Sequence, residues 1–507
     1  MFNDRAQGYD ILFRNITFTA MYIRVALFLI LFKIQLIYGQ DYPGYNTSNF
    51  TGVNGLLFNP SGIAGSPTRW DVNVLSIHAS AENSVGSFNF GNYRSLHKGT
   101  DFLNQYRESN AGLVHGFFNM NMHGPSVMVR LNSRSSVALT TRARMMMNAR
   151  NIDNRFINDI STRLADGSSL PYSFASHDNM TINANAWGEV GLSFATILKD
   201  DDLHQIKAGI TVKYLAGMFS TYLQTQNLQG TVAYDPVQNA AYLTNTSGSM
   251  HTGYGGVRMG NFVPSNIPKY GSHGAGADIG FTYVFEPNEE GYYSDDWWGA
   301  SEPLYKFKLG VSLLDIGMIR YKRNDGNRFD IDINGAERLY VEELRSLSVN
   351  NWETYFEDHP QYFTTLPWLR PNYYNVVLPA SLRVDADYHL SGAAYVNLAA
   401  QMSLVNNDAL PWGQHNYHSI TLTPRVENRF WGVYLPVNYN QISKFNAGLS
   451  LRAGYFFIGS GSVLSMLYKS RRLDFHAGIR FSAIDRENGG GGRGWKKTRS
   501  RTDCWKD

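Results

Sequence analysis

From residue 70 onward, apolar and polar side chains alternate with a period of two over many separate stretches. This is the pattern of strands whose two faces meet different surroundings. In 206–214, Ile206, Ala208, Ile210, Val212 and Tyr214 share one face, and Lys207, Gly209, Thr211 and Lys213 the other. In 305–313, Tyr305, Phe307, Leu309, Val311 and Leu313 oppose Lys306, Lys308, Gly310 and Ser312. In 382–390, Leu382, Val384, Ala386, Tyr388 and Leu390 oppose Arg383, Asp385, Asp387 and His389. The stretches 445–453 and 473–481 repeat the pattern, with Arg452, Asp474 and Arg480 on their polar faces. Further strands are predicted near 70–79, 84–90, 113–121, 124–132, 135–147, 184–196, 218–230, 274–285, 317–323, 328–335, 391–404, 416–427 and 430–439. Most are long enough for a tilted strand to cross a bilayer.

Alternation alone also suits a soluble sandwich, whose apolar faces turn inward. Two features favour a membrane barrel. The strands are long and numerous, with no repeat that divides them into sandwich domains. Their polar faces mix glycine with charges of both signs, as a packed or wet lumen requires. The expectation is an all-β antiparallel transmembrane β-barrel of about 14 strands (range about 12–16), with short helical insertions and an N-terminal segment near or inside the lumen. Residues 148–165 place Ile152, Phe156, Ile157, Ile160 and Leu164 at helical spacing, and 336–357 do so with Leu339, Val341, Leu344, Leu347 and Trp352. Residues 231–273 and 286–302 are predicted to be mostly loop.

Residues 21–40 carry Arg24, then an apolar run from Val25 to Phe32, then the small Gly39. That is the layout of a secretory signal peptide, and it supplies a third reason to place the strands in an outer membrane. Residues 1–20 precede it and read as an upstream extension from a mis-assigned start. The organisation that follows is a signal peptide at 21–40, an N-terminal segment at 41–111 holding a plug-like stretch and the first strands, a barrel at 112–483, and a Gly-rich basic tail at 484–507. The predicted location is the bacterial outer membrane.

Composition agrees with an all-β chain: aromatics make up 14% of the 507 residues, charged residues 17%, and there are 47 Gly against 17 Pro. A mean hydropathy of −0.30 is not that of a helical membrane protein. The net charge of +3 gives no indication of a nucleic-acid partner. The single cysteine, Cys504, can build neither a disulfide framework nor a zinc site.

Chemistry is sparse. There is no P-loop, HExxH or GxSxG motif, and no catalytic, cofactor-binding or metal-ligating residue is assigned. His415 and His418 flank a strand start and read as rim histidines. Asp385 and Asp387 lie side by side on one strand face, which could serve acid–base chemistry. A luminal charge network is the stronger reading, with Arg383, Asp385, Asp387, His389, Arg425, Arg452, Asp474 and Arg480 as its members and Arg142, Arg144, Lys207, Lys213, Lys306 and Lys308 as further cations. The pairs Trp297-Trp298, Tyr373-Tyr374 and Phe430-Trp431 read as interface girdle or loop packing.

Near the start of the mature chain, GVNGLLFNPSGIAG at 52–65 contains the turn motif Asn59, Pro60, Ser61, Gly62. With GADIGFTYVF at 276–285, KLGVSLLDIGMIRY at 308–321, LPASLRVDADYHL at 378–390 and FFIGSGSVL at 456–464, it resembles the long-chain fatty-acid transporter-like barrels. The resemblance is strongest to their Bacteroidetes relatives, which include type IX secretion components, and to an uncharacterised subgroup known as a domain of unknown function. It spans roughly residues 45–483. It implies an N-terminal segment near the lumen followed by an antiparallel barrel, and carries over no ligand residues. Three functions stay open: passage of a hydrophobic or small solute across the outer membrane, a non-transporting structural or secretion-associated component with other outer-membrane proteins as partners, and an exported soluble β-protein that binds glycans. Lipid is the expected surrounding; the ligand is unknown.

Overall fold

The computed structural model describes residues 41–484 except 91–112, 154–169, 176–178, 202, 258–270, 288–304, 326, 346–351, 368–371, 406–411 and 415. The leader, the upstream extension and the tail lie outside the described residues. So do most of 286–302, the Trp297-Trp298 pair, His415 and the second half of the helix predicted at 148–165.

Antiparallel pairing runs through 14 staves and closes on itself. In chain order the described strands are β1 (Thr68–Asn83), β2 (Leu113–His123), β3 (Ser126–Arg130), β4 (Ser135–Asp153), β5 (Tyr172–Ala175), β6 (Thr181–Asp200), β7 (His204–Asp235), β8 (Ala240–Gly256), β9 (His273–Phe285), β10 (Phe307–Asp325), β11 (Asn327–Ile333), β12 (Leu339–Tyr340), β13 (Phe363–Pro367), β14 (Tyr373–Val377), β15 (Ser381–Ser391), β16 (Ala394–Ser403), β17 (Ser419–Glu427), β18 (Trp431–Tyr434), β19 (Val437–Asn440), β20 (Lys444–Ala447), β21 (Leu449–Ala453), β22 (Phe456–Ser460) and β23 (Arg472–Ile484). Several staves are built from successive segments, such as β2 with β3, β8 with β9, and β13 to β15. The seam is β1 against β23, paired from Thr68↔Ile484 to Glu82↔Arg472.

Both ends of the ring, Thr68 and Ile484, lie at one rim, called here the near rim. Its links are mostly short; Gly392, at φ +51, makes the tight turn from β15 to β16, a conformation glycine adopts without a Cβ penalty. The far rim carries longer links at 84–112, 154–180, 334–362 and 404–418. There β7, β8, β11 and β13 rise past the ring as a small sheet, with β5 and β12 on its flanks. Phe174, Val232, Leu243, Phe329, Leu339 and Phe356 form its core. Arg338 pairs with Asp235 at 2.5 Å, and the Val237 N–H, together with the Tyr340 hydroxyl and Arg338, holds the Asp235 carboxyl below the usual carboxylate range.

The polarity is inverted relative to a soluble core. Val212 is 58% exposed and Phe475 47%, with Leu192, Val311, Leu398, Leu451 and Ile458 also facing out, while Lys213, Thr211, Arg425 and Asp474 are buried inside. The apolar faces at 305–313 and 473–481 therefore point outward and do not pack on each other, as a sandwich would require. Trp70, Tyr388, Phe430, Trp431, Tyr455 and Phe456 are exposed around the near rim, the placement of an interface girdle. Of the pair Tyr373-Tyr374, only Tyr373 faces out; Tyr374 packs inward against Tyr321 and Trp412.

Several sequence expectations are corrected. Residues 148–153 continue β4, so the helix predicted there does not start where expected. Residues 231–273, expected to be mostly loop, include the end of β7, all of β8 and the start of β9. The stretches 206–214 and 218–230 are one strand, with a register shift opposite Ala186 and Trp187. Residues 84–90 form no strand, only the bridge Phe88↔Ser470. The 336–357 helix resolves into β12 and two short helices, α1 (Val341–Arg345) and α2 (Trp352–Asp358). Tyr305, expected on the outer face, is buried in the lumen because the chain bends before β10 begins and resets the alternation.

The lumen is filled from the near half by residues 41–66, wound into short 3-10 turns. The Asn59 turn shows why this segment fits. Asn59 caps its own turn by accepting from the Ser61 N–H at 3.0 Å, while its amide donates to Phe281 O at 3.1 Å on the wall. Ser61 Oγ lies 2.7 Å from Thr282 Oγ1. The wall makes room with glycine: a Cβ on Gly209 would strike the Pro60 backbone, and one on Gly280 the Asn59 side chain. Gly62, part of the same motif, faces open space. Gly209→Val is expected to lower stability by about 1–3 kcal/mol through overpacking, and Gly62→Ala to stay within about 0.5 kcal/mol of the parent. Urea unfolding in detergent, followed by the loss of heat-dependent gel migration, reads both.

Candidate functional site

On β15, Arg383, Asp385, Asp387 and His389 all turn into the lumen because the strand alternates, but they do not act on one another as a unit. Asp387 belongs to a cluster at the near end. Arg425 grips it with two parallel bonds, 2.7 Å and 2.8 Å, and donates through Nε to Glu427 at 2.9 Å. Lys308 Nζ lies 3.2 Å from Asp387, and the Tyr305 hydroxyl donates to it at 2.8 Å. The N-terminal plug completes this cluster: Ser48 Oγ donates to Glu427 at 2.6 Å, and the Asn49 N–H at 3.0 Å. Arg452 reaches Glu427 at 4.0 Å and lies over the Phe50 ring. His389 stacks on Tyr395 and bonds to Gly392 O at the rim.

Asp474 and Arg480 lie on the seam strand, in two separate groups. Arg480 pairs with Asp71 and also donates to Phe50 O at 2.6 Å, so the seam holds the plug directly. Asp71 in turn accepts from the Val53 N–H at 2.9 Å. Asp474 lies 3.5 Å from Arg472, which reaches Glu82 at 3.3 Å.

A further cluster, across the middle of the lumen, joins the sequence-predicted cations Arg142, Arg144 and Lys213 to acids that the sequence reading did not name. Arg144 bonds Asp315 at 2.7 Å and Glu189 at 3.2 Å; Lys213 bonds Asp278 at 2.7 Å and Asp315 at 2.8 Å. Arg142 joins it to the plug through Asp41 at 3.1 Å. Glu189 and Asp278 were legible by parity, since Val190 and Ile279 are their outward neighbours. Asp315 was not. A bulge between Leu313 and Ile316 switches the alternation there, and Asp315 sits at φ +58 with its N–H on Asp278 at 2.7 Å. Of the other cations, Lys207 donates to the plug carbonyl of Ala64 at 3.1 Å, and Lys306 lies on the rim over Tyr388.

The middle cluster, with Glu82 and Arg472 of the seam strands, lines a luminal cavity of about 40 Å³. Leu57 and Phe58 of the plug form one side; Arg142, Arg144, Lys213, Asp278 and Asp315 another. On the far side lie the described residues 412–414 and 416–418. Trp412 packs on Tyr222 and Tyr374, and Gln414 bonds Asn148 at 2.8 Å and Asn183 at 2.6 Å. Asn416 and Tyr417 line the cavity, while His418 accepts from the Ser403 N–H at 2.9 Å. Among the described residues no group of three or more His, Cys, Asp or Glu is placed to hold a metal ion.

The near-end cluster is sensitive to which carboxylate is removed. Asp387→Ala strips Arg425 and Lys308 of a buried partner and is expected to cost about 3–5 kcal/mol. Asp385→Ala, whose carboxylate approaches a cation only at 4.0 Å, is expected to cost about 1 kcal/mol or less. Urea midpoints of the two variants in detergent separate the cases; equal losses would mean that the Asp387 pairing carries no special weight.

Solved structures of several bacterial proteins show a distant likeness at very low identity. A FadL homologue from Pseudomonas aeruginosa matches with a TM-score of 0.39 and 11% identity, over 88% of this chain and 98% of that one. The toluene transporter TbuX from Ralstonia pickettii matches with a TM-score of 0.36 and 10% identity, over 89% and 97%. The translocator domain of the autotransporter NalP from Neisseria meningitidis gives 0.28 and 8%, over 82% and 90%. No curated protein matches the sequence. The family model described as "Family of unknown function (DUF5723)" matches residues 60–461, from the Asn59 turn to the last staves of the ring, and the chain belongs to that family.

Proposed function

We propose that this chain is an exported outer-membrane barrel whose lumen passes a small solute. The observation that carries the reading is the inverted polarity of a closed ring around a polar lumen. A band of exposed Leu, Val, Ile and Phe girdles the outside, and buried ion pairs line the inside. Lipid is the surrounding that makes such a surface favourable, because the closed strand pairing satisfies the backbone without water. An exported soluble glycan-binder would carry that band into water at a large cost.

The dense bonding of residues 41–66 also favours the second reading, a non-transporting structural or secretion-associated component. A stopper held by Glu427, Asp71, Arg480 and Thr282 does not move cheaply. The two readings divide on permeation. The expected result is recovery in the outer-membrane fraction, slower gel migration after boiling, and solute flux through reconstituted vesicles that increases when residues 41–66 are deleted. Outer-membrane recovery with no flux from either protein would favour the structural component. Release into the soluble fraction, with no heat shift, would sink the barrel reading.

A further inference from the structure

On the outer face of the ring, the apolar band ends toward the far rim in a cluster of cations and aromatics. Along β10 the outward residues read Ile316, Met318, Arg320, Lys322, while Ile319 and Tyr321 between them are fully buried. Alternation therefore puts both cations on the lipid-facing side, directly after two residues that face hydrocarbon. Register gathers their neighbours. His273 of β9 lies opposite Arg320 on one side; Asn375 and Tyr373 of β14 lie opposite Arg320 and Lys322 on the other. All five are exposed. The Arg320 guanidinium stands 4.2 Å from the centroid of the Tyr373 ring. Packing on a ring face fixes the guanidinium plane and leaves its N–H edges free. Tyr214, outward on β7, bonds His273 Nδ1 at 2.6 Å. Among the described residues neither Arg320 nor Lys322 pairs with a carboxylate, whereas the exposed cations Lys199, Arg328 and Arg338 pair with Asp201, Asp330 and Asp235.

The depth of this cluster is that of a headgroup layer. His204 and Tyr283 make a matching pair, at 2.7 Å, toward the near rim of the same two staves, β7 and β9. At the tilt usual for barrel strands, Tyr283 and His273 stand about 25 Å apart across the bilayer, the height of an apolar band. The cluster caps the band at the end where the links are long, which is the end such barrels turn away from the cell.

We propose that Arg320 and Lys322, with His273 and Tyr373, form a binding site for one lipid of the outer leaflet, recognised by a phosphomonoester headgroup. This rests on the outer-membrane placement and not on solute passage. A phosphomonoester carries close to two negative charges at neutral pH, and two cations side by side on one face match it; a phosphodiester carries one. The guanidinium offers phosphate a fork of parallel N–H bonds, and the ammonium adds a point charge. Deeper in the band, Met318, Ile316, Val212 and Ile210 supply surface for acyl chains, so the site takes a phosphate with hydrocarbon attached and not a free one.

Native mass spectrometry of the full mature chain, folded and stripped of lipid in detergent, tests this with dioleoyl phosphatidic acid, dioleoyl phosphatidylglycerol and inorganic phosphate as probes. The expected result is one phosphatidic acid held per chain, about tenfold more tightly than phosphatidylglycerol, and not displaced by millimolar inorganic phosphate. Arg320→Gln combined with Lys322→Gln should bring phosphatidic acid down to the level of phosphatidylglycerol. Arg328→Gln, which removes an exposed cation elsewhere, should leave the preference intact. Should the double variant lose its heat-dependent gel shift, Arg320→Lys and Lys322→Gln carry the comparison singly, each losing part of the preference. Equal retention of the two lipids, or a preference that survives these substitutions, would overturn the site. Displacement by inorganic phosphate would overturn a lipid as its ligand. A parent chain without a heat-dependent shift would defeat the barrel reading itself, whereas a heat-modifiable chain that holds both lipids alike defeats only the site.

Discussion

The structure depends on one constraint: inside a closed ring, every polar group must find its partner without bulk water. The ring solves it for the backbone by pairing β1 with β23, which closes the ring on itself along the described seam. It solves it for the side chains with ion pairs between staves, Lys213 with Asp278 on neighbouring ones and Arg425 with Asp387 across β16. It solves it for the remaining space by returning the chain's own N-terminal segment to the lumen. The plug is thus part of the same accounting as the wall: Glu427 is satisfied by Arg425 and also by Ser48 and Asn49, and Asp71 by Arg480 and also by the Val53 N–H.

Much of the wall was legible, because period-two alternation follows directly from strand geometry. The outward set Ile206, Ile210, Val212 and Tyr214 and the inward set Thr211 and Lys213 lie where the pattern puts them. The pattern failed where the backbone changes phase. The bend before β10 turned Tyr305 inward, and the bulge at Leu314 and Asp315 hid a central acid of the lumen. Long, glycine-rich stretches misled in another way. Residues 240–256 look like loop because Gly, Ser, Asn and Thr dominate them, yet β8 is held on both sides by β7 and by β10 and β11; tertiary pairing overrides weak local preference.

The site was legible in kind but not in grouping. Sequence placed Arg383, Asp387, Arg425, Arg452, Asp474 and Arg480 on inward faces, yet it could not divide them into separate clusters. That division depends on which staves are neighbours and on how far each is staggered, and alternation along one strand carries no such information. The plug contacts were less legible still. That Asn59 and Pro60 matter could be suspected from the turn chemistry alone; that Gly209 and Gly280, some 150 and more residues away, are the surface they dock against could not. That Arg383 lies over Phe58 of the plug, with Asp385 4.0 Å from its Nε, is likewise a property of the assembled lumen.

The central claim is that lipid meets the outer apolar band while the chain's own N-terminal segment fills the near half of the lumen. Tryptophan fluorescence in vesicles of brominated lipid tests this most directly, using variants that keep one of the ten Trp residues. Trp70 and Trp431 face outward at the near rim, while Trp187 and Trp412 are buried inside the ring. Strong quenching of Trp431 and little of Trp187 is the expected result. Strong quenching of Trp187, or protection of both, would contradict the claim.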